Sequence, residues 1–214
     1  MHYTTRDIQI QCAAMGHNPG VIDGLNGSKT RLALKGALEE VGGQHPYDLF
    51  DPSGLHSIVM HWTAGANGVI ELERRAYNAV VDAQSNVYDG VFRPEAQATY
   101  RVGHAASHTY MANTHRIGIS VDCMAGARER PFHMGTNPIQ KGHVEGMLRQ
   151  TAQWIRDFNI IPSKWTVLTH AEVQPNLNIR QKWKWDIRVL PGDKAVRPAD
   201  EAGDMLREQL QDYL

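Results

Sequence analysis

The sequence predicts an α/β domain, with a central mixed β-sheet flanked by helices, that follows a small all-α unit. Short apolar runs rich in β-branched residues predict strands, among them SIVMHW, RIGISVDCM and WTVLTH. A long amphipathic helix is predicted between the last two runs, and such mixing of strands and helices is typical of layered α/β domains. Two helical patterns, separated by a loop rich in Asn, Pro and Gly, precede the first strand.

The all-α unit begins with a helix predicted over residues 5–15, which Gly16 ends. A second helix is predicted over residues 29–41, with Ser28 as its N-cap. The apolar positions at helical spacing are Ile8, Cys12 and Met15 in the first helix, and Leu34, Leu38 and Val41 in the second. A unit of about forty residues lies near the lower limit for independent folding, so it needs compact packing.

The segment GGQHPYDLFDPSG has glycines at both ends and two prolines, which favours a linker. We therefore divide the chain into domains at residues 1–43 and 55–214, with residues 44–54 between them.

The larger domain continues with YNAVVDA and VYDGV, two strands joined by the turn QSN. RIGISVDCM is predicted as a central strand because it is a largely apolar run with β-branched residues. The long helix lies within PIQKGHVEGMLRQTAQWIRDFNI, and RPADEAGDMLREQLQDYL closes the chain as a polar helix. The residues expected to pack these two helices are Val144, Leu148, Ala152 and Ile155, and then Met205, Leu206 and Leu210.

Bulk composition excludes several classes of protein. The net charge of -1 gives no reason to expect nucleic acid as a partner. No run of eighteen apolar residues occurs, so no stable membrane insertion is expected, and the N-terminus has no secretory signal pattern. Two distant cysteines without CxxC spacing predict reduced, buried thiols. We expect a monomer made in the cytoplasm.

Two histidines end apolar strands: His61 in SIVMHW and His170 in WTVLTH. Open α/β sheets bind ligands where strands end, so both imidazoles are candidates for one site. A catalytic zinc site takes three protein ligands and leaves a position for water. Glu172 and Asp186 are the candidates for the third ligand, and spacing does not choose between them.

Six segments in order, HWTAG, YNAVVDAQSNVYDG, RVGHAASH, NTHRIGISV, VLTHAEV and KWKWDIRVLPG, resemble the zinc-dependent N-acetylmuramoyl-L-alanine amidases. This family includes phage lysozyme-like amidases, cytoplasmic cell-wall recycling amidases and peptidoglycan recognition proteins. The resemblance covers about residues 55–192. It implies that Zn²⁺ is bound by His61, His170 and Asp186, so it favours Asp186 as the third ligand.

The same resemblance implies further roles. Lys184, two residues before Asp186, and Tyr77, in RAYNAVVDA, correspond to catalytic positions, and His104, in VGHAASH, to a histidine that contacts substrate. Other members carry a glutamate where this chain has Ser120, so the chain follows the tyrosine-bearing branch. The segment NLNIRQKWK looks like an insertion between the second and third ligands.

The N-terminal unit resembles the small three-helix peptidoglycan-binding module, whose signature is G-x-x-P-G-x-I-D-G-x-x-G-x-x-T. Eight residues fit that signature: Gly16, Pro19, Gly20, Ile22, Asp23, Gly24, Gly27 and Thr30. The glycines predict turns with positive φ, and Asp23 is expected to accept a hydrogen bond from local backbone. Most of the signature is therefore structural.

The two resemblances together predict a modular peptidoglycan hydrolase, an endolysin of phage or prophage origin. It would cleave the amide bond between N-acetylmuramic acid and L-alanine with zinc-activated water, and would stay in the cytoplasm until released to the cell wall or periplasm. A cytoplasmic muropeptide-recycling amidase and a non-catalytic peptidoglycan sensor are the alternatives. Four other histidines of the second domain (His108, His115, His133 and His143) are expected at the surface. Packing, not sugar binding, is expected of Trp154, Trp165, Trp183 and Trp185.

Overall fold

The computed structural model describes residues 2–182 and 184–214. The chain begins with α1 (Thr5–Ala14) and α2 (Ser28–Val41), close to the predicted bounds. Thr4 and Asp7 form a capping box at the start of α1, in which the Thr4 N–H donates to Asp7 Oδ2 over 2.9 Å. Positive φ angles at Gly16, Gly20 and Gly24 agree with the predicted turns. Gly27 has a φ of -77°, so the prediction of a positive φ is wrong there.

Two details of α2 differ from the prediction. The N-cap is Gly27, and Ser28 is the first helical residue. The buried face is formed by Thr30, Ala33 and Ala37, while Val41 is 48% exposed. Small side chains let α1 and α2 lie close together, which pushes the larger leucines to the edge of the contact.

A 3₁₀ helix (Pro46–Leu49) lies in the segment predicted as a linker. The buried Leu49 side chain packs with Cys12, Ala33 and Ala37, so the N-terminal unit contains three helices in all. The Gln11 side chain donates a hydrogen bond to the Leu49 carbonyl over 2.9 Å. The domain division at residues 43 and 54 stays a prediction.

Within the described residues, five strands form one mixed sheet, as predicted. The strands are β1 (Ser57–Trp62), β2 (Ala79–Val81), β3 (Val87–Asp89), β4 (Arg116–Val121) and β5 (Val167–Thr169). The order is β3-β2-β4-β1-β5, and only β3 runs antiparallel to its neighbour. The predicted central strand, β4, is the middle one, and every residue of β1 and β4 is buried.

Helices cover both faces of the sheet: α3 (Glu71–Ala76), α4 (Lys141–Asp157), α5 (His170–Leu177) and α6 (Ala199–Leu210). Two further 3₁₀ helices span Pro94–Thr99 and Gln211–Tyr213. The helices α4 and α6 pack over Ile58 and Met60 on one face. On the other face, Val59 packs with Val173 of α5 and with Ile10 of α1. The N-terminal unit therefore shares a core with the sheet.

Both cysteines are free and buried, as predicted. No helix in residues 2–182 and 184–214 is long and apolar enough to cross a bilayer. Trp154 is buried in the core, and Trp185 packs edge-on against Trp62 with ring centroids 4.9 Å apart. Trp165 packs at the edge of the second core cluster, and Trp183 lies outside the described residues.

The expectation that four histidines lie at the surface is right for His133 and wrong for His108, His115 and His143, which are buried. Burial is tolerated because the ring nitrogens have partners. His143 Nδ1 accepts from the Gln140 N–H, so Nε2 donates to the buried Asp122 over 2.8 Å. His115 Nδ1 lies 2.7 Å from the Gly54 carbonyl oxygen.

Candidate metal centre

The candidate centre lies at the carboxyl edge of the parallel strands. His61 is the fifth residue of β1 and pairs in register with Ser120 of β4. His170 follows β5 directly and is the first residue of α5. Asp186 lies in the loop after α5. The Ala171 N–H at the start of α5 donates to the Asp186 carbonyl over 2.9 Å, which holds this loop beside His170.

These three side chains converge. Asp186 Oδ2 lies 3.2 Å from His61 Nδ1 and 3.0 Å from His170 Nδ1. One ligand atom from each residue lies within 4.8 Å of the other two. All three side chains are buried, with 1%, 5% and 8% of His61, His170 and Asp186 exposed. The structure thus brings together the three residues predicted as ligands.

Burial and neighbouring charge set the protonation of the group. Burial, together with the neighbouring His170, lowers the pKa of His61 to about 4, so its imidazole is neutral at pH 7. Burial alone would raise the pKa of Asp186, but His170 and His61 outweigh it and hold that pKa well below its usual range. A neutral imidazole and an ionised carboxylate are the protonation states in which these side chains bind metals.

The donor set fits a divalent metal of the zinc type. Two imidazole nitrogens and one carboxylate oxygen form a three-ligand set typical of catalytic zinc sites. Ligands of a tetrahedral zinc lie about 3.3 Å from one another, given bond lengths of about 2.0–2.1 Å. The two measured separations, 3.2 and 3.0 Å, are close to that value. These three residues could therefore hold a metal ion.

Glu172, the other carboxylate that spacing allowed, lies elsewhere. Its carboxylate accepts from Arg207 of α6 over 2.7 Å and from the Thr169 N–H over 2.9 Å. Gly203 of α6 lies so close that an added Cβ would sit 2.1 Å from Glu172 Oε2. Glu172 therefore links α5 to α6 through its ion pair with Arg207. Asp186, not Glu172, is the carboxylate that contacts the two histidines.

Tyr77 borders the centre from the end of α3. Its ring centroid lies 5.2 Å from that of His61. Burial raises the pKa of the Tyr77 hydroxyl above its ordinary value, and the neighbouring Asp186 adds to this rise, so the hydroxyl keeps its proton. The catalytic role of Tyr77 stays a prediction, but a protonated hydroxyl at this position can donate a hydrogen bond.

Lys184 and His104 are both exposed. The ammonium of Lys184 is close enough to be one of the charges that lower the pKa of His61, after burial and His170. His104 lies in a turn, where its N–H donates to the Arg101 carbonyl over 3.0 Å. Their predicted catalytic and substrate-binding roles stay predictions.

Sequence reasoning missed the partners of the two imidazoles. His61 Nε2 lies 3.3 Å from both His108 Nδ1 and Thr109 Oγ1, and His170 Nε2 lies 3.0 Å from Gln181 Oε1. Burial and the neighbouring His61 hold the pKa of His108 well below its usual range. No local pattern marks these residues, because their loops reach the centre only in the folded chain.

The solved structures that are similar to this chain include an amidase and a recognition protein. One is the N-acetylmuramoyl-L-alanine amidase LysC from Clostridium intestinale, 14% identical over 59% of this chain and 87% of that chain, with a TM-score of 0.37. The other is the peptidoglycan recognition protein PGRP-SA from Drosophila, 13% identical over 62% of this chain and 78% of that chain, also with a TM-score of 0.37. No family model and no curated protein matches the chain.

Proposed function

We propose that this protein is a zinc-dependent amidase that cleaves the bond between N-acetylmuramic acid and L-alanine in peptidoglycan. The observation that carries the proposal is the convergence of His61, His170 and Asp186 at the carboxyl edge of the sheet, within 4.8 Å of one another. The ordered motifs of residues 55–192, which resemble those of such amidases, supply the substrate class.

The three buried residues would hold Zn²⁺, which as a Lewis acid would activate a water molecule for attack on the amide carbonyl. The ionised Asp186 would balance the charge of the ion, and the neutral His61 would offer it a lone pair. Tyr77, whose ring centroid is 5.2 Å from that of His61, would donate a hydrogen bond to the carbonyl oxygen as negative charge develops there. Lys184 would add a positive charge at the exposed side of the centre.

The N-terminal unit would bind the cell wall and keep the catalytic domain on its insoluble substrate. Its support is the glycine-rich signature and the core that α1 shares with the sheet. Such an arrangement suits an endolysin that waits in the cytoplasm and acts after release to the wall. A soluble muropeptide would need no wall anchor, which disfavours the recycling role.

The test is a metal assay combined with a product assay on purified sacculi. We expect about one zinc per chain, loss of activity with a chelator, and release of new L-alanine amino groups without new reducing sugars. New reducing sugars would mean a glycosidase, and neither product would mean a sensor that only binds; either result overturns the proposal.

A matched pair of variants makes this test specific. His170→Ala should lose zinc and amine release together. His133→Ala makes the same chemical change at an exposed histidine outside the centre, and should keep both. If His170→Ala keeps its zinc and its activity, the metal site lies elsewhere.

A further inference from the structure

Each imidazole of the candidate centre turns its second ring nitrogen, Nε2, toward a buried side chain from another loop. Gln181, which is 3% exposed, faces His170, and His108, which is 8% exposed, faces His61. A polar side chain is buried at a cost unless it is paired, so what each of these groups donates and accepts can be worked out from its partners.

The orientation of Gln181 is fixed by a backbone carbonyl. Its Nε2 donates to the Tyr110 carbonyl oxygen over 2.7 Å, and a carbonyl oxygen can only accept. The atom that faces His170 Nε2 at 3.0 Å is therefore the amide oxygen, Oε1. Because that oxygen also only accepts, His170 must carry a proton on Nε2, which leaves Nδ1 toward Asp186.

His108 is fixed in the same way. Its Nε2 lies 3.1 Å from the Arg116 carbonyl oxygen, so this nitrogen donates and the lone pair of the neutral ring is on Nδ1. The Thr109 hydroxyl lies 2.8 Å from that lone pair and donates to it, so its oxygen is left to accept. His61 Nε2, 3.3 Å from both His108 Nδ1 and Thr109 Oγ1, is then the nitrogen that donates to this pair. The His108 ring packs directly against the backbone of Gly118, where an added Cβ would lie 2.3 Å from His108 Cγ. The ring therefore has no room to move toward β4.

We propose that Gln181 and His108 are positioning residues that hold His170 and His61 with Nε2 protonated and Nδ1 directed at the metal. The inference deepens the proposed function and rests on its metal site. It also assigns a role to the segment NLNIRQKWK, which contains Gln181: the added residues deliver the partner of the second histidine. Outer partners of this kind change metal affinity by about 10–100-fold.

The experiment measures zinc affinity by competition with a chelator in full-length variants. Gln181→Met and His108→Phe keep the size of each side chain but remove the acceptor, and each should weaken zinc binding by about 10–100-fold. The control is Gln174→Met: Gln174 accepts from the Gln181 N–H over 2.8 Å and holds the same segment without touching either histidine. Its zinc affinity should equal that of the unaltered protein.

A conservative variant separates positioning from packing. Gln181→Glu keeps an acceptor for His170 and should restore most of the zinc affinity that Gln181→Met loses. If Gln181→Met and His108→Phe fold, as judged by melting of the zinc-free proteins, yet bind zinc as tightly as the unaltered protein, the inference is wrong.

The protonation itself can be read from ¹H–¹⁵N NMR of the imidazoles in the unaltered protein. We expect a proton on Nε2 of both His61 and His170, with and without zinc; an unprotonated Nε2 in either residue overturns the inference. This readout separates the two proposals. A protein that shows both Nε2 protons but binds no zinc would refute the proposed function and leave the positioning intact.

Discussion

Two neighbouring strands, β1 and β4, have a buried polar cluster at each end. At the amino ends, His56 precedes β1, Arg116 begins β4, and both contact Asp7 of α1. At the carboxyl ends, His61 contacts Asp186. Both clusters join histidine to a buried aspartate, but their charges are balanced differently.

In the amino-end cluster, both carboxylate oxygens of Asp7 have donors. The Arg116 guanidinium donates to Asp7 Oδ1 over 2.9 Å, and His56 Nε2 lies 3.2 Å from the same oxygen. The N–H and the hydroxyl of Thr4 both donate to the other carboxylate oxygen, Asp7 Oδ2. Every acceptor of Asp7 meets a donor, so the cluster is a structural link between the N-terminal unit and the sheet.

In the described part of the chain, the aspartate of the carboxyl-end cluster pairs with histidines alone. Within residues 2–182 and 184–214, no lysine or arginine forms an ion pair with Asp186, whose only such contacts are His61 and His170. His170 faces an acceptor at each ring nitrogen, Asp186 Oδ2 at Nδ1 and Gln181 Oε1 at Nε2. The comparison shows that the amino-end aspartate is paired with a permanent cation, whereas the carboxyl-end aspartate meets only imidazole nitrogens, which are also common metal ligands.

The largest expected effect breaks the carboxyl-end cluster. Asp186→Asn keeps the shape of the side chain but removes its charge, so zinc affinity should fall by more than the roughly 100-fold seen for outer partners. Amine release from sacculi should fall to background. Chelator competition and the product assay measure this, and an Asp186→Asn protein that retains both properties would show that the carboxylate is not a ligand.

The same substitution at the amino end should do the opposite. Asp7→Asn leaves the buried Arg116 charge without its counter-ion, which costs about 3–5 kcal/mol of unfolding free energy. Zinc affinity should not change, because Asp7 does not contact the carboxyl-end cluster. Chemical denaturation with and without zinc measures both; equal stability of Asp7→Asn and the unaltered protein would contradict the structural role.

Tyr77→Phe removes one hydroxyl beside His61 in the carboxyl-end cluster and leaves the amino-end cluster unchanged. We expect kcat to fall by about 10²-fold, the usual loss for one donor to a developing oxyanion, while bound zinc stays at one per chain. Steady-state kinetics on sacculi with a zinc assay measure this. An unchanged kcat would assign Tyr77 to packing beside His61.

The smallest effect concerns pH at the amino end. Burial is the main cause that lowers the pKa of the His56 imidazole to about 4, against about 6.5 in the unfolded chain. As pH falls from 6.5 toward 4, the unfolded chain binds a proton that the folded chain does not, so unfolding free energy falls. Asp7, Tyr3 and His115 contact this ring, and the charge of Arg116, paired with Asp7, also acts on it.

His56→Gln removes that titration. The loss of unfolding free energy between pH 7 and pH 5 should therefore be smaller in the variant, by about 2 kcal/mol. Denaturation at the two pH values measures the difference. Parallel pH profiles for the variant and the unaltered protein would mean that His56 does not titrate in this range.

Much of the fold follows from local patterns. Apolar, β-branched runs predicted β1, β4 and β5, and helical spacing predicted α1, α4 and α6, because these signals depend on residues a few positions apart. The placement of His61 and His170 at one edge also followed, since parallel strands end on the same side of a sheet. The resemblance to zinc amidases then favoured Asp186.

Other features depend on contacts between distant parts of the chain. His61 and Asp186 are 125 residues apart, and Arg116 and Asp7 are 109 apart. The surface prediction for His108 was wrong because a loop folds its ring onto Gly118, which no local spacing reports.

The sequence by itself therefore determined the elements of this protein and the edge of the sheet where its chemistry is expected. The tertiary structure decided which carboxylate reaches that edge, by turning Glu172 toward Arg207 and leaving Asp186 with the two imidazoles. It also decided which buried aspartate pairs with an arginine and which with two histidines of the candidate centre. The physical reason is that strand and helix formation is local, whereas the pairing of buried charges is settled by the path of the loops.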